Sequence, residues 1–234
     1  MTAEIPPALP LRERKKLRTR QTLVATALEL FGAHGFDGVT LDGLCEAAEV
    51  SKRTFFRYFA SKEDVAMAPT QDLWAAFLDL LETGPAEGPA PRPAGGQPRG
   101  RPGAQPEGRP LLGLFEDCLA GAIGRMPAGG WTGRVLASRR LAARTPSMDA
   151  HGLAFCDRTI RAALVVLDHR LALDGPGRLR VRLALDMLVS AFRQALDAWV
   201  AQPSGHTPED LTRRLRAVMA ELPHAVAAKA EPRA

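Results

Sequence analysis

Along most of this chain apolar residues recur every three or four positions, the interval that gathers them on one side of an α-helix. Leu23, Ala27, Leu30 and Phe31 mark such a stripe in a segment from Leu11 to His34, and Gly35 ends it. Thr40 stands as N-cap before a short helix over Leu41–Ala48, and Ser51 before another over Lys52–Phe59. Ser61, with Asp64 three residues on, has the form of a capping box and opens a helix carrying Val65, Leu73, Trp74, Phe77 and Leu81. Pro69 falls inside that helix and predicts a kink or a delayed start. Further helices are predicted over Leu111–Arg125, Trp131–Arg144, Ser147–Leu173, Pro176–Ala201 and Thr207–Leu222. The last has Thr207 as cap and Pro208 at its first position. Period-two alternation is nowhere sustained, so the fold is predicted to be all-α.

The pattern breaks between Gly84 and Pro110, where Gly and Pro make up more than half of the residues and large apolar side chains are missing. Such a stretch cannot bury enough surface to offset its ordering entropy and is predicted to be a disordered loop. The organisation expected is a tail over 1–10, a small helical domain over 11–60, a larger one over 61–222 interrupted by the 84–110 loop, and a tail over 223–234.

Charge sharpens this picture. The 234-residue chain carries a formal +5, but the excess is local. Arg12, Arg14, Lys15, Lys16, Arg18 and Arg20 crowd Leu11–Arg20 against one acid, Glu13; Lys52, Arg53, Arg57 and Lys62 lie in Ser51–Lys62 with none. Two basic patches in the smaller domain point to an anionic partner for that domain. Cys45, Cys118 and Cys156 are odd in number and far apart, as expected of reduced thiols in a cytoplasmic protein. Met1–Pro7 lacks the basic start and apolar core of a signal peptide, and no apolar run approaches membrane-spanning length, so no membrane partner is expected.

Thr40–Phe59 holds two short helices around a tight turn. Leu41, Leu44 and Ala48 give the first a buried side, and Val50, Phe55 and Phe59 continue it. That is the pattern of a helix-turn-helix, a supporting helix followed by a recognition helix with a free outer face. Here that face offers Lys52, Arg53, Thr54, Arg57 and Tyr58, residue types that reach base edges and phosphates. With Leu30-Phe31, Gly35-Phe36-Asp37, Thr40-Leu41, Ala47-Ala48, Val50-Ser51, Thr54-Phe55-Phe56-Arg57-Tyr58-Phe59 and Ser61-Lys62-Glu63, the first quarter of the chain resembles the TetR family of bacterial regulators in order and spacing.

The resemblance implies an N-terminal three-helix DNA-binding domain and a C-terminal helical domain for ligand binding and dimerisation. It implies a repressor that holds a palindromic, double-stranded operator as a homodimer and answers a small-molecule effector. Its DNA contacts would be Thr40, Ser51, Lys52, Arg53, Thr54, Phe56, Arg57 and Tyr58, with Lys62 on the backbone and a basic arm supplied by Arg14, Lys16 and Arg18. Three positions depart from the family pattern: Glu49 stands in the turn where Gly is usual, Phe56 replaces a common Tyr, and Cys45 a small Ala.

The same resemblance puts a pocket among the middle helices, with Trp74, Phe77, Phe115, Trp131, Met148 and Phe155 as its bulky candidates, and Arg139, Arg140 and Arg144 available to an anionic ligand. It puts the dimer interface on the last two helices, whose stripes include Leu188, Phe192, Leu196 and Trp199, then Leu211 and Leu215. Pro98-Arg99-Gly100-Arg101-Pro102 has the core of an AT-hook without its basic flanks. For an enzyme, the five histidines are scattered, His151 and Cys156 do not have zinc spacing, and no phosphate loop, dinucleotide fingerprint or nucleophile elbow occurs. No catalytic residue, metal or cofactor is therefore expected. An effector-independent helix-turn-helix regulator or activator is the alternative, against which stands a helical domain larger than DNA binding requires.

Overall fold

The computed structural model describes residues 10–84, 110–127, 130–171 and 173–229. Among these the chain forms nine α-helices and no strand: α1 (Leu11–His34), α2 (Leu41–Ala47), α3 (Lys52–Phe56), α4 (Lys62–Thr83), α5 (Leu111–Gly124), α6 (Trp131–Ala142), α7 (Pro146–Leu171), α8 (Gly175–Ala201) and α9 (Pro208–Ala227). The predicted loop and its Pro98–Pro102 string lie outside the described residues.

Two apolar clusters organise the helices. The smaller gathers Leu23, Val24, Ala27, Leu28 and Phe31 of α1, Leu44 and Cys45 of α2, Phe55 of α3, and Val65–Ala68 from the first turns of α4. The larger joins Leu73, Trp74, Phe77 and Leu81 of α4 to buried faces of α5 to α9. The two clusters divide inside α4, between Ala68 and Leu73. One continuous helix is anchored in both cores.

Pro69 does not break or delay α4. The helix starts at Lys62, where Ser61 Oγ accepts the Asp64 N–H at 3.2 Å, and continues to Thr83. Asp64 closes the box one residue early, accepting the Ala60 N–H at 2.9 Å. A proline inside a helix costs about 3 kcal/mol. Pro69 is itself buried between two packed segments, and Trp131 Nε1 donates to its carbonyl at 2.9 Å. Burial on both sides outweighs the lost backbone bond.

Two other helices differ from expectation by three residues or more at their ends. α3 stops at Phe56, because the N–H groups of Arg57 and Tyr58 reach carbonyls three residues back, on Thr54 and Phe55. That tighter turn still delivers Phe59 to the core. α9 runs through Pro223 to Ala227, so the predicted tail is partly helical. Pro223 itself is exposed.

Candidate nucleic-acid interface

The turn between α2 and α3 is a Schellman motif. Val50 N–H bonds the Cys45 carbonyl and Glu49 N–H the Glu46 carbonyl, each at 3.0 Å. The motif requires a left-handed residue at its fifth position, and Glu49 fills it at φ 53°. The turn thus has the shape that a glycine would give, held by a side chain that disfavours it by about 1 kcal/mol.

Caps set the two helices on either side. Thr40 Oγ1 accepts the Gly43 N–H at 3.1 Å, and Ser51 Oγ the Thr54 N–H at 3.1 Å. Thr54 also meets Ser51 through its hydroxyl at 3.0 Å. With Phe55 fully buried, helical geometry turns Lys52, Arg53, Phe56 and Arg57 outwards, and all four are exposed. Lys52 Nζ lies 2.6 Å from Asp42 Oδ1 of α2, and that hydrogen bond raises its pKa. Arg53 has no such partner among the described residues. Arg57 turns towards Tyr58, with Nη2 3.3 Å from the phenol oxygen and the guanidinium 5.1 Å from the ring centre.

Arg57 and Tyr58 close one wall of a groove of about 440 Å³ whose other wall is the start of α1, through Leu11, Arg12, Lys15, Lys16 and Thr19. The basic residues expected in an arm ahead of the first helix are inside it: Arg14, Lys16 and Arg18 are helical and exposed. A helix cannot thread a narrow groove as an extended arm does. Only Lys16 of these three lines the groove, and it also pairs with Glu13 at 3.1 Å. Arg12 and Lys15, which were not among the expected contacts, line it as well, and 12, 15, 16 and 19 share one helical face.

Lys62 is committed inside the domain. Its Nζ donates to the Phe36 carbonyl at 2.9 Å and the Val39 carbonyl at 2.7 Å, over the Phe36 ring at 4.6 Å. Two of three ammonium donors thus hold the α1–α2 connection, leaving one for a phosphate.

A second site lies between α4, α6, α7 and α8. It is a cavity of about 50 Å³, lined by Met67, Trp74, Met148, Phe155, Phe192 and Leu196, with Cys156, Arg139 and Arg193 at its polar end. Of the six expected pocket residues, Trp74, Met148 and Phe155 line it. Phe77, Phe115 and Trp131 do not, being packed into the larger core. Arg139 pairs with Asp197 at 2.5 Å while its Nε is buried without a hydrogen bond. Arg193 lies 3.9 Å from Asp149. Burial pushes the Cys156 thiol pKa up, against the pull of both arginines. Arg140 and Arg144 face a separate cleft against the end of α1.

The stripe assigned to a dimer interface needs correction. Leu188, Phe192, Leu196, Trp199, Leu211 and Leu215 are all 2% exposed or less, within this chain's own core. Phe192 stacks edge-on against Trp74 at 5.4 Å, and Trp199 Nε1 donates to the Thr207 carbonyl at 3.2 Å. Amphipathic spacing marks a buried face without telling which body buries it.

Comparison with known proteins bears on the first of these sites. Residues 23–68 match the family model of bacterial regulatory proteins, tetR family. Over 85 residues the chain is 49% identical to the HTH-type transcriptional regulator TcmR of Streptomyces glaucescens, covering 36% of this chain and 38% of that protein. Over 70 residues it is 39% identical to the HTH-type transcriptional repressor NemR of Escherichia coli (strain K12), covering 28% and 35%. The match thus spans little more than a third of these curated relatives' length. The TetR family transcriptional regulator PfmR from Thermus thermophilus aligns over 86% of this chain and 98% of that one, at 14% identity and a TM-score of 0.40. The family model begins in the buried half of α1 and ends in the first turns of α4, the segment whose caps and turn hold out the exposed face of α3. Over residues 23–68, then, the chain carries a segment of the tetR family of bacterial regulatory proteins.

Proposed function

We propose that the protein is a ligand-responsive transcriptional repressor that binds a palindromic operator as a homodimer. The observation that carries this reading is the union of two sequence-distant basic patches, the α1 face through Arg12, Lys15 and Lys16 and the outer face of α3 through Arg53 and Arg57. With α3 in the major groove, Arg53 is free to meet base edges. Arg57, Tyr58 and the α1 cations flank it and suit phosphates, as do the capping hydroxyls of Thr40 and Ser51.

The cavity is the seat proposed for an effector. At about 50 Å³ it is far below the roughly 300 Å³ or more of a pocket for a drug-sized molecule, so a ligand of that size must push its walls apart. Two wall residues, Met67 and Met148, are also buried members of the smaller core. Displacing them disturbs the packing under α2 and α3, which links effector and DNA as competitors for two arrangements.

A second copy would sit on the faces of α8 and α9 that the core leaves open. Leu183, Ser190, Gln194, Ala198 and Ala201 recur at helical spacing on α8, and Ala217 and Ala220 are exposed on α9. Among these, Ser190, Ala198, Ala201, Ala217 and Ala220 are small enough to let helices approach closely, and a two-fold pair suits a palindrome.

The test is fluorescence anisotropy of the full chain on duplexes from its own promoter region, from low to physiological salt. Two chains per site, preference over random DNA and a steep fall in affinity with salt are expected. Binding equal to that of random DNA at every salt concentration would overturn the reading.

A further inference from the structure

Phe56 is 55% exposed, the large apolar side chain on an α3 face otherwise made by Lys52, Arg53 and Arg57. Phe55, fully buried beneath it, meets its ring edge-on at 5.5 Å and 86°. That contact braces Phe56 at its base while most of the ring stays in solvent. The smaller core is complete without it.

We infer that Phe56 is a specificity-determining residue that reads the 5-methyl group of a thymine in the major groove. The inference rests on the docking of α3 proposed above. Base edges in that groove display nitrogen and oxygen atoms that bind water or side chains, and a single kind of apolar group, the thymine methyl. A phenyl ring laid on a guanine or adenine edge strips water from polar atoms and returns no hydrogen bond. Laid on phosphate it does the same to a charge. Against the methyl group, ring and methyl both leave water, and nothing polar is stranded. Arg53 and Phe56 are three residues apart, so their side chains are neighbours about 5–6 Å apart on one face. At about 3.4 Å per base step, the thymine then lies within about two base pairs of the base that Arg53 reads.

The experiment starts by selecting tight-binding duplexes from a randomised DNA pool with the full chain. Each thymine of the selected site is then replaced, one at a time, by deoxyuridine, which lacks only the methyl group. Anisotropy titrations compare the wild type with Phe56→Ala and Phe56→Leu, whose folding is checked by thermal melting. One thymine per half-site is expected to lose about fourfold in affinity on demethylation, the value of one buried methyl-sized group. The penalty should vanish in Phe56→Ala and persist, reduced, in Phe56→Leu. If no demethylation weakens the wild type, or if the penalty survives intact in Phe56→Ala, the inference is overturned while the docking stands. If the pool yields no preferred duplex at all, the docking falls and the inference with it.

Discussion

The α3 surface and the α8–α9 pair are both helical segments with a clear apolar stripe, and the stripe serves different ends in each. On α3 the stripe is a foundation: Phe55 is sunk in the core so that Arg53 and Phe56 are held out. On α8 and α9 the stripe is the destination, with Trp199, Leu211 and Leu215 filling the chain's own interior. The large residues that look like anchors for a partner are already used. The contrast comes from length and neighbours. A short helix has room for one buried contact and three or four open ones. α8 is a 27-residue helix that packs on α5, α7 and α9.

The largest effect that could break this comparison is expected at Trp199. Its side chain is fully buried and its Nε1 closes the corner between α8 and α9. Trp199→Ala should cost about 3–5 kcal/mol through the cavity it leaves. If Trp199 were an interface anchor, the variant would instead be a folded monomer of near-normal stability. Denaturant melts at several protein concentrations, with sedimentation of the native sample, separate the two. A stability loss independent of concentration is the expected result.

Lys62 sharpens the comparison from the other side, because its sequence position suggested DNA and its donors are engaged within the domain. Lys62→Ala removes two charge-assisted bonds, to the Phe36 and Val39 carbonyls, and should destabilise the smaller domain by about 2 kcal/mol. Under conditions where the variant is folded, the salt dependence of DNA binding should fall by at most about one phosphate contact. Normal thermal stability together with a flattened salt slope would restore Lys62 to a purely DNA-facing role.

These expectations follow the line between what the sequence makes legible and what it hides. Thr40, Ser51, Ser61 and Thr207 each cap the helix they were expected to cap, since a cap is a contract between residues three apart. The face of α3 follows from the same short range. Which face of α1 joins α3 does not, because Arg12 and Arg57 come to line one groove only once α1, α2 and α3 have packed. The cavity is further beyond reach. Trp74, Met148 and Phe192 come from three helices spread over more than half of the chain, and nothing local separates them from Phe77 or Phe115, which ended in the core. The start of α4 was hidden for a related reason: Pro69 is a local signal for a kink or a delayed start, and the helix still begins at Lys62, held by two cores that no local rule sees.

The smallest effect concerns a residue at the hinge of the α3 surface. Glu49 adopts φ 53° at the Schellman position, where an L side chain crowds its own backbone and glycine does not. Glu49→Gly should raise the stability of the protein by about 1 kcal/mol. Glu49→Ala removes the same negative charge and keeps the Cβ, so it should give no such gain. Both variants also remove an acid next to α3, and any gain in DNA affinity from that cause should be shared by the two. Stability by denaturant melting and affinity by anisotropy therefore answer separate questions. A gain in stability shared equally by Ala and Gly would mean that charge, not backbone strain, is what Glu49 costs this turn. A gain confined to Gly would mean that the turn keeps a glycine's conformation without a glycine, and that the position of α3 is imposed by packing strong enough to hold it there.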